Sequence, residues 1–228
     1  MKGLLVTGTD TGVGKTEITA AIARLWRREG RRFAVCKPVA TGAVVLPDGS
    51  RLADDARLLA AAAGETDLRA VTPHVLLEPA APPVAARLEG VRLEFADLIR
   101  AIERRSAGEC RVLAEGVGGL LCPLTERETV ADLAAAVQLP LLVVARRSLG
   151  TLNHTLLTVE VARQRGLRVV GVVVTETTPV ATVAERENAQ ELRLRLQVPL
   201  LAVVPHRPGG YDGEIPALSA IDWWSLSD

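Results

Sequence analysis

Apolar residues in this chain fall into two alternating patterns. Short uninterrupted runs rich in valine and leucine cover Gly3–Thr7, Phe33–Lys37, Arg111–Glu115, Leu141–Ala145, Val169–Val174 and Leu200–Val204. Runs of that length without polar alternation are expected of parallel strands covered on both faces. Between them lie stretches with helical spacing, predicted over Lys15–Arg28, Asp54–Ala63, Glu94–Arg105, Val130–Val137, Leu152–Arg165 and Val183–Leu196. Gly30 and Gly166 follow two of these where a helix stop is expected. Strand–helix alternation implies right-handed crossovers and a doubly wound, mainly parallel sheet flanked by helices, a three-layer α/β/α fold. Ligands bind such sheets beyond the carboxyl ends of the strands, so the residues just after each strand are the ones to interrogate.

Two segments interrupt the alternation. Thr41 to Arg51 reads as a loop turning at Pro47-Asp48-Gly49, and Pro73 to Pro83, with four prolines, reads as an extended connection. The tail from Pro205 to Asp228 gives a weak signal, and its Trp223-Trp224 pair is expected to pack on the domain or a partner. No linker separates domains, so residues 1–228 are expected to form one domain.

Composition narrows the function classes. The chain is 48% hydrophobic but only 3% aromatic, so its core is mostly valine, leucine and alanine. Lys plus Arg and Asp plus Glu are 27 each, which leaves no global basic field for nucleic acid; any anion site is local. Cys36, Cys110 and Cys122 have neither disulfide nor metal-site spacing and fit buried thiols in a reducing compartment. The chain enters its first strand at once, leaving no room for a cleavable signal, and no apolar run approaches the ~20 residues that span a bilayer. A cytoplasmic protein with no membrane or nucleic-acid partner is expected.

The densest chemistry follows the first strand. Gly8-Thr-Asp-Thr-Gly-Val-Gly-Lys-Thr16 is a phosphate-binding loop between a strand and a helix, with five residues rather than four between Gly8 and Gly14. Gly8, Gly12 and Gly14 permit the backbone to approach phosphate oxygens, and the following helix adds unpaired N–H groups. Lys15 is placed to reach the β- and γ-phosphates and the Thr16 hydroxyl to ligate Mg²⁺. The second strand delivers Lys37, costly to bury unless it meets an anion. The third delivers Glu115 ahead of Gly116, Val117, Gly118 and Gly119, in the place where nucleotide hydrolases put a second Mg²⁺ contact, though an ordinary strand–helix turn would read the same. Asp54 and Asp55 open a helix, where either serves as a cap or as a third oxygen ligand.

Together GTDTGVGKT (8–16), CKPVATG (36–42), EGVGGLLCPL (115–124) and SLGTLNHT (148–155) closely resemble the dethiobiotin synthetase family, in order and with the lengthened loop. The resemblance implies a P-loop NTPase-like fold and an ATP- and Mg²⁺-dependent ligase that closes a cyclic urea on a vicinal diamine, diaminopelargonic acid, with CO₂. A carbamate would take the γ-phosphoryl group before ring closure. By resemblance Thr16, Asp54 and Glu115 would ligate Mg²⁺, Asp54 being preferred because the chain then matches without a gap from Lys37. Gly12, Val13, Gly14, Lys15, Thr16, Glu17, Asp54, Glu115, Gly116, Val117, Gly118, Thr175 and Glu176 would hold nucleotide. Thr11, Lys37, Thr41, Gly150 and Asn153 would face the diamine or its carbamate, with Lys37 and Lys15 the catalytic cations. The site would be completed across a homodimer, the Gly150–His154 turn reaching the substrate tail.

Three positions depart from the family. Gly12 replaces an acidic residue of some members, and Ser148 a lysine. Thr175-Glu176 stands where some members carry Asn-Asp to read adenine; a single hydroxyl cannot replace an amide's paired donor and acceptor, which implies relaxed base selectivity. Another ATP-dependent ligase or amidotransferase-like synthase would share the loop but not KPVATG and GTLNH. A partitioning ATPase commonly has a lysine early in the loop, where this chain has Asp10.

Overall fold

The computed structural model describes residues 1–228. After β1 (Gly3–Gly8) and α1 (Lys15–Arg28) come β2 (Phe33–Cys36), β3 (Val39–Ala40), β4 (Val44–Val45), β5 (Arg51–Leu52), α2 (Asp54–Ala63), α3 (Leu68–Val71) and β6 (His74–Val75). Next are α4 (Pro82–Leu88), α5 (Phe95–Arg105), β7 (Arg111–Gly119), α6 (Val130–Val137), β8 (Leu141–Arg146) and α7 (Thr151–Gln164). The chain ends through β9 (Val169–Thr175), α8 (Val183–Arg195), β10 (Leu200–Val204), α9 (Pro216–Ser219) and α10 (Trp223–Leu226).

The six apolar runs form one parallel sheet in the order β10-β9-β8-β1-β7-β2. Successive side chains of β1 point to opposite faces, and both faces are covered. Leu4 and Val6 join Ile18, Ile22, Trp26, Leu113 and Leu142 under α1 and α2. Leu5 joins Leu98, Ile102, Val112, Leu133 and Leu141 under α5 and α6. That double burial is why the strands lack polar alternation.

Several boundaries differ from expectation for local reasons. β7 does not turn after Glu115: it continues through Gly119, with Val6 opposite Glu115 and Gly8 opposite Gly119. The glycines there permit a close approach, since a Cβ on Gly116 would lie 2.9 Å from Val130 Cγ1. The Pro47-Asp48-Gly49 turn forms, but inside a short antiparallel hairpin of β4 and β5. The proline-rich connection is extended only as far as β6, which pairs with β3; Pro82 and Pro83 begin α4, because proline's fixed φ and missing N–H suit a first turn.

The weakly patterned tail is firmly held. Trp223 is 2% exposed and its indole N–H donates to the Leu218 carbonyl at 2.9 Å. Trp224 meets Trp26 edge to face at 5.2 Å, with the Arg111 guanidinium 4.1 Å over its ring. Arg111 also donates to the Trp224 carbonyl, to Ser227 Oγ at 2.6 Å and to the Asp228 carboxylate at 2.7 Å. Trp223→Ala is expected to lower unfolding free energy by about 3–5 kcal/mol in urea titration, as for other fully buried aromatics; a loss below about 1 kcal/mol would show that the tail is dispensable to the core.

Candidate active site

The loop after β1 reaches α1 through Gly12 and Gly14, whose φ values of 70° and 88° are left-handed. Gly14 caps α1 without a side-chain hydrogen bond, so the first N–H groups of the helix remain available for an anion. The loop is propped from beneath. The Thr175 hydroxyl donates to the Val13 carbonyl at 2.7 Å, and a Cβ on Gly14 would stand 3.2 Å from Thr175 Cγ2.

Four charged groups converge just past the ends of β1 and β2 and beside Glu115, midway along β7. Lys37, 3% exposed, donates to Glu115 Oε1 at 2.7 Å and to Asp55 Oδ2. Thr16 Oγ1 lies 2.9 Å from Glu115 Oε1 and 3.0 Å from Asp55 Oδ1, its one proton serving either. Lys15, 6% exposed, donates to the Asp10 carbonyl at 2.9 Å. Burial alone would lower the Lys37 pKa, but the Glu115 and Asp55 carboxylates raise it above the ordinary lysine value. Lys15 is driven the other way, chiefly by burial, with the Lys37 charge adding to the effect against the pull of Glu115. At Asp55, burial pushes up, yet the Lys37 ammonium and the hydrogen bonds from Lys37 and Thr16 hold the carboxyl below its usual range.

The structure selects between the two aspartates. Asp54 is 89% exposed on its side chain and pairs with Arg57, whereas Asp55 reaches Thr16 and Lys37. The preference for Asp54 is therefore corrected. Asp55, Leu59 and Ala62 lie at i, i+4 and i+7, and the burial of Leu59 and Ala62 sets the phase that turns Asp55 inward. That periodicity was present in the sequence and would have decided the matter.

Thr16, Glu115 and Asp55 offer the hard oxygen donors that Mg²⁺ takes alongside waters and phosphates. Glu115 is fully buried, and its Oε2 has no hydrogen-bond partner. An orphaned carboxylate oxygen beside a hydroxyl and a second carboxylate fits a divalent cation.

Two cavities flank this cluster. One, about 490 Å³, is lined by Thr11, Gly118, Leu121, Cys122, His154 and Leu157 among others. It brings the loop together with the start of α7, but through His154; Asn153 is exposed and faces a different groove, with Glu160 and Arg195. Gly150 caps α7 in a left-handed conformation, and Thr41 is half-buried just past β3. The other cavity, about 330 Å³, lies between Gly14, Glu17 and Ile18 on one side and Pro205, His206, Arg207, Gly210 and Tyr211 on the other. Thr175 and Glu176 line it too, but not as free readers of a ligand. Thr175 is bonded beneath the loop, and Glu176 pairs with Arg147 at 2.5 Å and accepts from the His206 N–H at 3.2 Å. With its proton engaged there, the Thr175 hydroxyl offers the cavity only its lone pairs. The tail's contribution to this wall had no sequence signal beyond Gly209-Gly210.

A family profile described as an AAA domain matches residues 2–210. The ATP-dependent dethiobiotin synthetase BioD of Anaeromyxobacter dehalogenans (strain 2CP-C) is 46% identical over 209 residues, spanning 91% of this chain and 92% of that protein. The protein of the same name from Bacillus thuringiensis (strain Al Hakam) is 36% identical over 232 residues, spanning 100% and 93%. Among solved structures, the cell division ATPase MinD of Pyrococcus furiosus superposes with a TM-score of 0.53 at 20% identity over 100% of this chain and 97% of that one. A ParA family ATPase from Chlorobium tepidum TLS gives 0.53 at 13% identity over 91% and 85%. Those two likenesses establish the phosphate-loop α/β fold.

The Asp55 carboxyl is depressed in the folded state, so its contribution to stability is present above the unfolded carboxylate pKa of about 3.9 and is lost as pH falls through the lower folded value. Asp55→Asn should therefore differ from wild type in unfolding free energy near neutral pH and converge with it in strong acid. Asp54→Asn should track wild type within about 0.5 kcal/mol throughout. Chemical denaturation across pH checks both, and a pH-independent gap for Asp55→Asn would refute the pairing.

Proposed function

The chain belongs to the ATP-dependent dethiobiotin synthetase family, and we propose that it closes the urea ring of dethiobiotin from 7,8-diaminopelargonic acid, CO₂ and ATP in biotin biosynthesis. The observation that carries this reading is the buried Lys37 ammonium, held at the end of β2 against Glu115 and Asp55 and beside the phosphate loop. Its raised pKa keeps it a cation. It is placed to act by charge on an anionic substrate.

One amine of the substrate captures CO₂ and loses a proton, giving a carbamate. A carbamate oxygen then bonds to the γ-phosphorus as the bond to the ADP oxygen breaks. The second amine attacks the carbamate carbon, phosphate leaves with its bonding pair, and the ring closes with loss of a proton. Such phosphoryl transfer needs positioning and charge neutralisation more than covalent help. Lys15 and the first N–H groups of α1 hold the β- and γ-phosphates. Lys37 exchanges its carboxylate partners for the carbamate and the transferring phosphoryl oxygens. Thr16, Glu115 and Asp55 would hold Mg²⁺, which would offset phosphate charge. The backbone of Gly116, Val117 and Gly118 gives close access along the strand end, while Thr11 and Thr41 border the diamine.

The cavity beside Thr11 takes the aliphatic tail of the diamine. Leu121 and Leu157 line it and are 50% and 56% exposed, an apolar rim suited to a second copy of the chain, so the working unit is a homodimer in which the Gly150–His154 turn contributes. Three free cysteines fit a reducing cytoplasm, and no helix is long and apolar enough to cross a membrane.

Purified protein with Mg²⁺, ATP and bicarbonate is expected to release phosphate only once the diamine is added. Release at the same rate without diamine would refute the synthetase reading. Lys37→Ala should cut turnover by at least about a hundredfold, in line with the loss of one electrostatic contact to a transition state, while nucleotide still binds. Undiminished turnover would remove Lys37 from the mechanism.

A further inference from the structure

The 330 Å³ cavity between α1 and the tail contains one carboxylate that the fold leaves without use. Glu17 follows Thr16 in the first turn of α1, and its Oε2 is buried with no hydrogen-bond partner. Its Oε1 faces Gly210, where an added Cβ would lie 3.1 Å away. A buried carboxylate oxygen without a donor costs free energy unless a ligand supplies one. Three of the other polar side chains in its lining have partners inside the protein, whereas those of Thr177, His206 and Arg207 make no hydrogen bond. Thr175 bonds to Val13, Glu176 to Arg147 and to the His206 N–H, and the Tyr211 hydroxyl donates to the Pro205 carbonyl at 2.9 Å.

Position identifies what the missing donor is. Phosphates on Lys15 and Thr16 put the next unit of a nucleotide, its sugar, beside the residue that follows them on α1. Farther out, the Arg207 guanidinium lies 5.5 Å from the Tyr211 ring centroid, forming a flat cationic-aromatic wall. Such a wall stacks any base with little discrimination. A vicinal diol presents two O–H donors that match the two oxygens of one carboxylate, the same chemistry by which an acidic residue holds ribose in dinucleotide-binding folds.

We propose that Glu17 reads the sugar of the nucleotide by accepting from both ribose hydroxyls, so that this chain selects a ribonucleotide through its sugar more strongly than through its base. The inference rests on the nucleotide site assigned above. The selectivity implied adds discrimination at the sugar to the relaxed base selectivity expected from Thr175. It predicts rejection of 2′-deoxynucleotides and tolerance of a changed base.

Displacement of a fluorescent ATP analogue, with Mg²⁺ present, tests this directly. Wild type should bind 2′-deoxyATP about tenfold or more weakly than ATP, and GTP with less loss than 2′-deoxyATP; tenfold corresponds to about 1.4 kcal/mol, within the range of a charge-assisted hydrogen bond. In Glu17→Ala the ATP and 2′-deoxyATP affinities should fall within about twofold of each other, both near the wild-type value for 2′-deoxyATP. Should that variant not fold, by circular dichroism, Glu17→Gln retains the shape without the charge and should show a reduced ratio. Equal binding of ATP and 2′-deoxyATP by wild type overturns the role of Glu17 and leaves the nucleotide site standing, as does a full ratio retained in the variants. Failure of every triphosphate to displace the analogue overturns the nucleotide site itself.

Discussion

Lys37 and Glu115 are both almost wholly removed from water, and neither is tolerable there alone. Each would carry a desolvation penalty of several kcal/mol in isolation, and removing one member of such a pair commonly costs about 3–5 kcal/mol. Together with Asp55 and Lys15 they make a balanced quartet, two cations against two anions, on three adjacent strands and the segments that follow them. The rest of the site is arranged around keeping that balance. Glu115 is delivered by β7, Lys37 directly follows β2, and the α1 residues Lys15 and Thr16 follow β1, so the sheet order β1-β7-β2 itself assembles the charges. The balance also makes the cluster exchangeable. A polyanion entering with a divalent cation brings charges of both signs, so each resident charge can find a new partner without a bare ion being left behind.

That arrangement requires backbone to pass very close to backbone. β7 continues as strand beyond Glu115 because Gly8 and Gly119 lie opposite each other, and a Cβ on Gly119 would stand 3.3 Å from the Thr9 carbonyl. On the other side Thr175 fills the space beneath Gly14 and bonds to Val13. The loop is thus clamped between the end of β9 and the end of β7. Its N–H groups are oriented before any phosphate arrives, which removes part of the ordering cost from binding.

Much of this was legible in the chain. Strands buried on both faces announce themselves as unbroken valine and leucine runs, and the glycine spacing of residues 8–16 admits few structures. Lys37 and Glu115 were found because strand ends are where ligands bind. What escaped depended on information not carried by residue type. Asp54 and Asp55 are chemically identical, and only the helix phase set by Leu59 and Ala62 separates them. Thr175 lies at a strand end and lines the cavity as its position implied, but its hydroxyl also holds the loop, a tertiary bond across 162 residues of sequence. Prolines 82 and 83 read as breakers because proline ends helices more often than its role in starting them is weighed. Asn153 and His154 are neighbours, and the turn of α7 sends them to different grooves.

The tail was the least legible segment, yet it is joined to the catalytic strand. Arg111 begins β7 and Glu115 lies four residues along it. At the Arg111 end, the guanidinium grips Trp224, Ser227 and Asp228, and Lys2 adds a bond to Asp228 at 3.0 Å. Between that anchor and β10 runs the segment Pro205–Ile215, which supplies the far wall of the nucleoside cavity and is tied to α1 through Arg24 to the Gly213 carbonyl and Arg28 to Glu214. A wall so rich in glycine would be disordered if its far end were free, because each glycine adds backbone entropy to be lost on ordering. Pinning both ends shortens the free loop and confines that entropy. The same strand therefore serves the candidate site twice. Glu115, midway along it, contributes the carboxylate of the charge cluster, and its amino end holds the segment that walls the cavity beside α1.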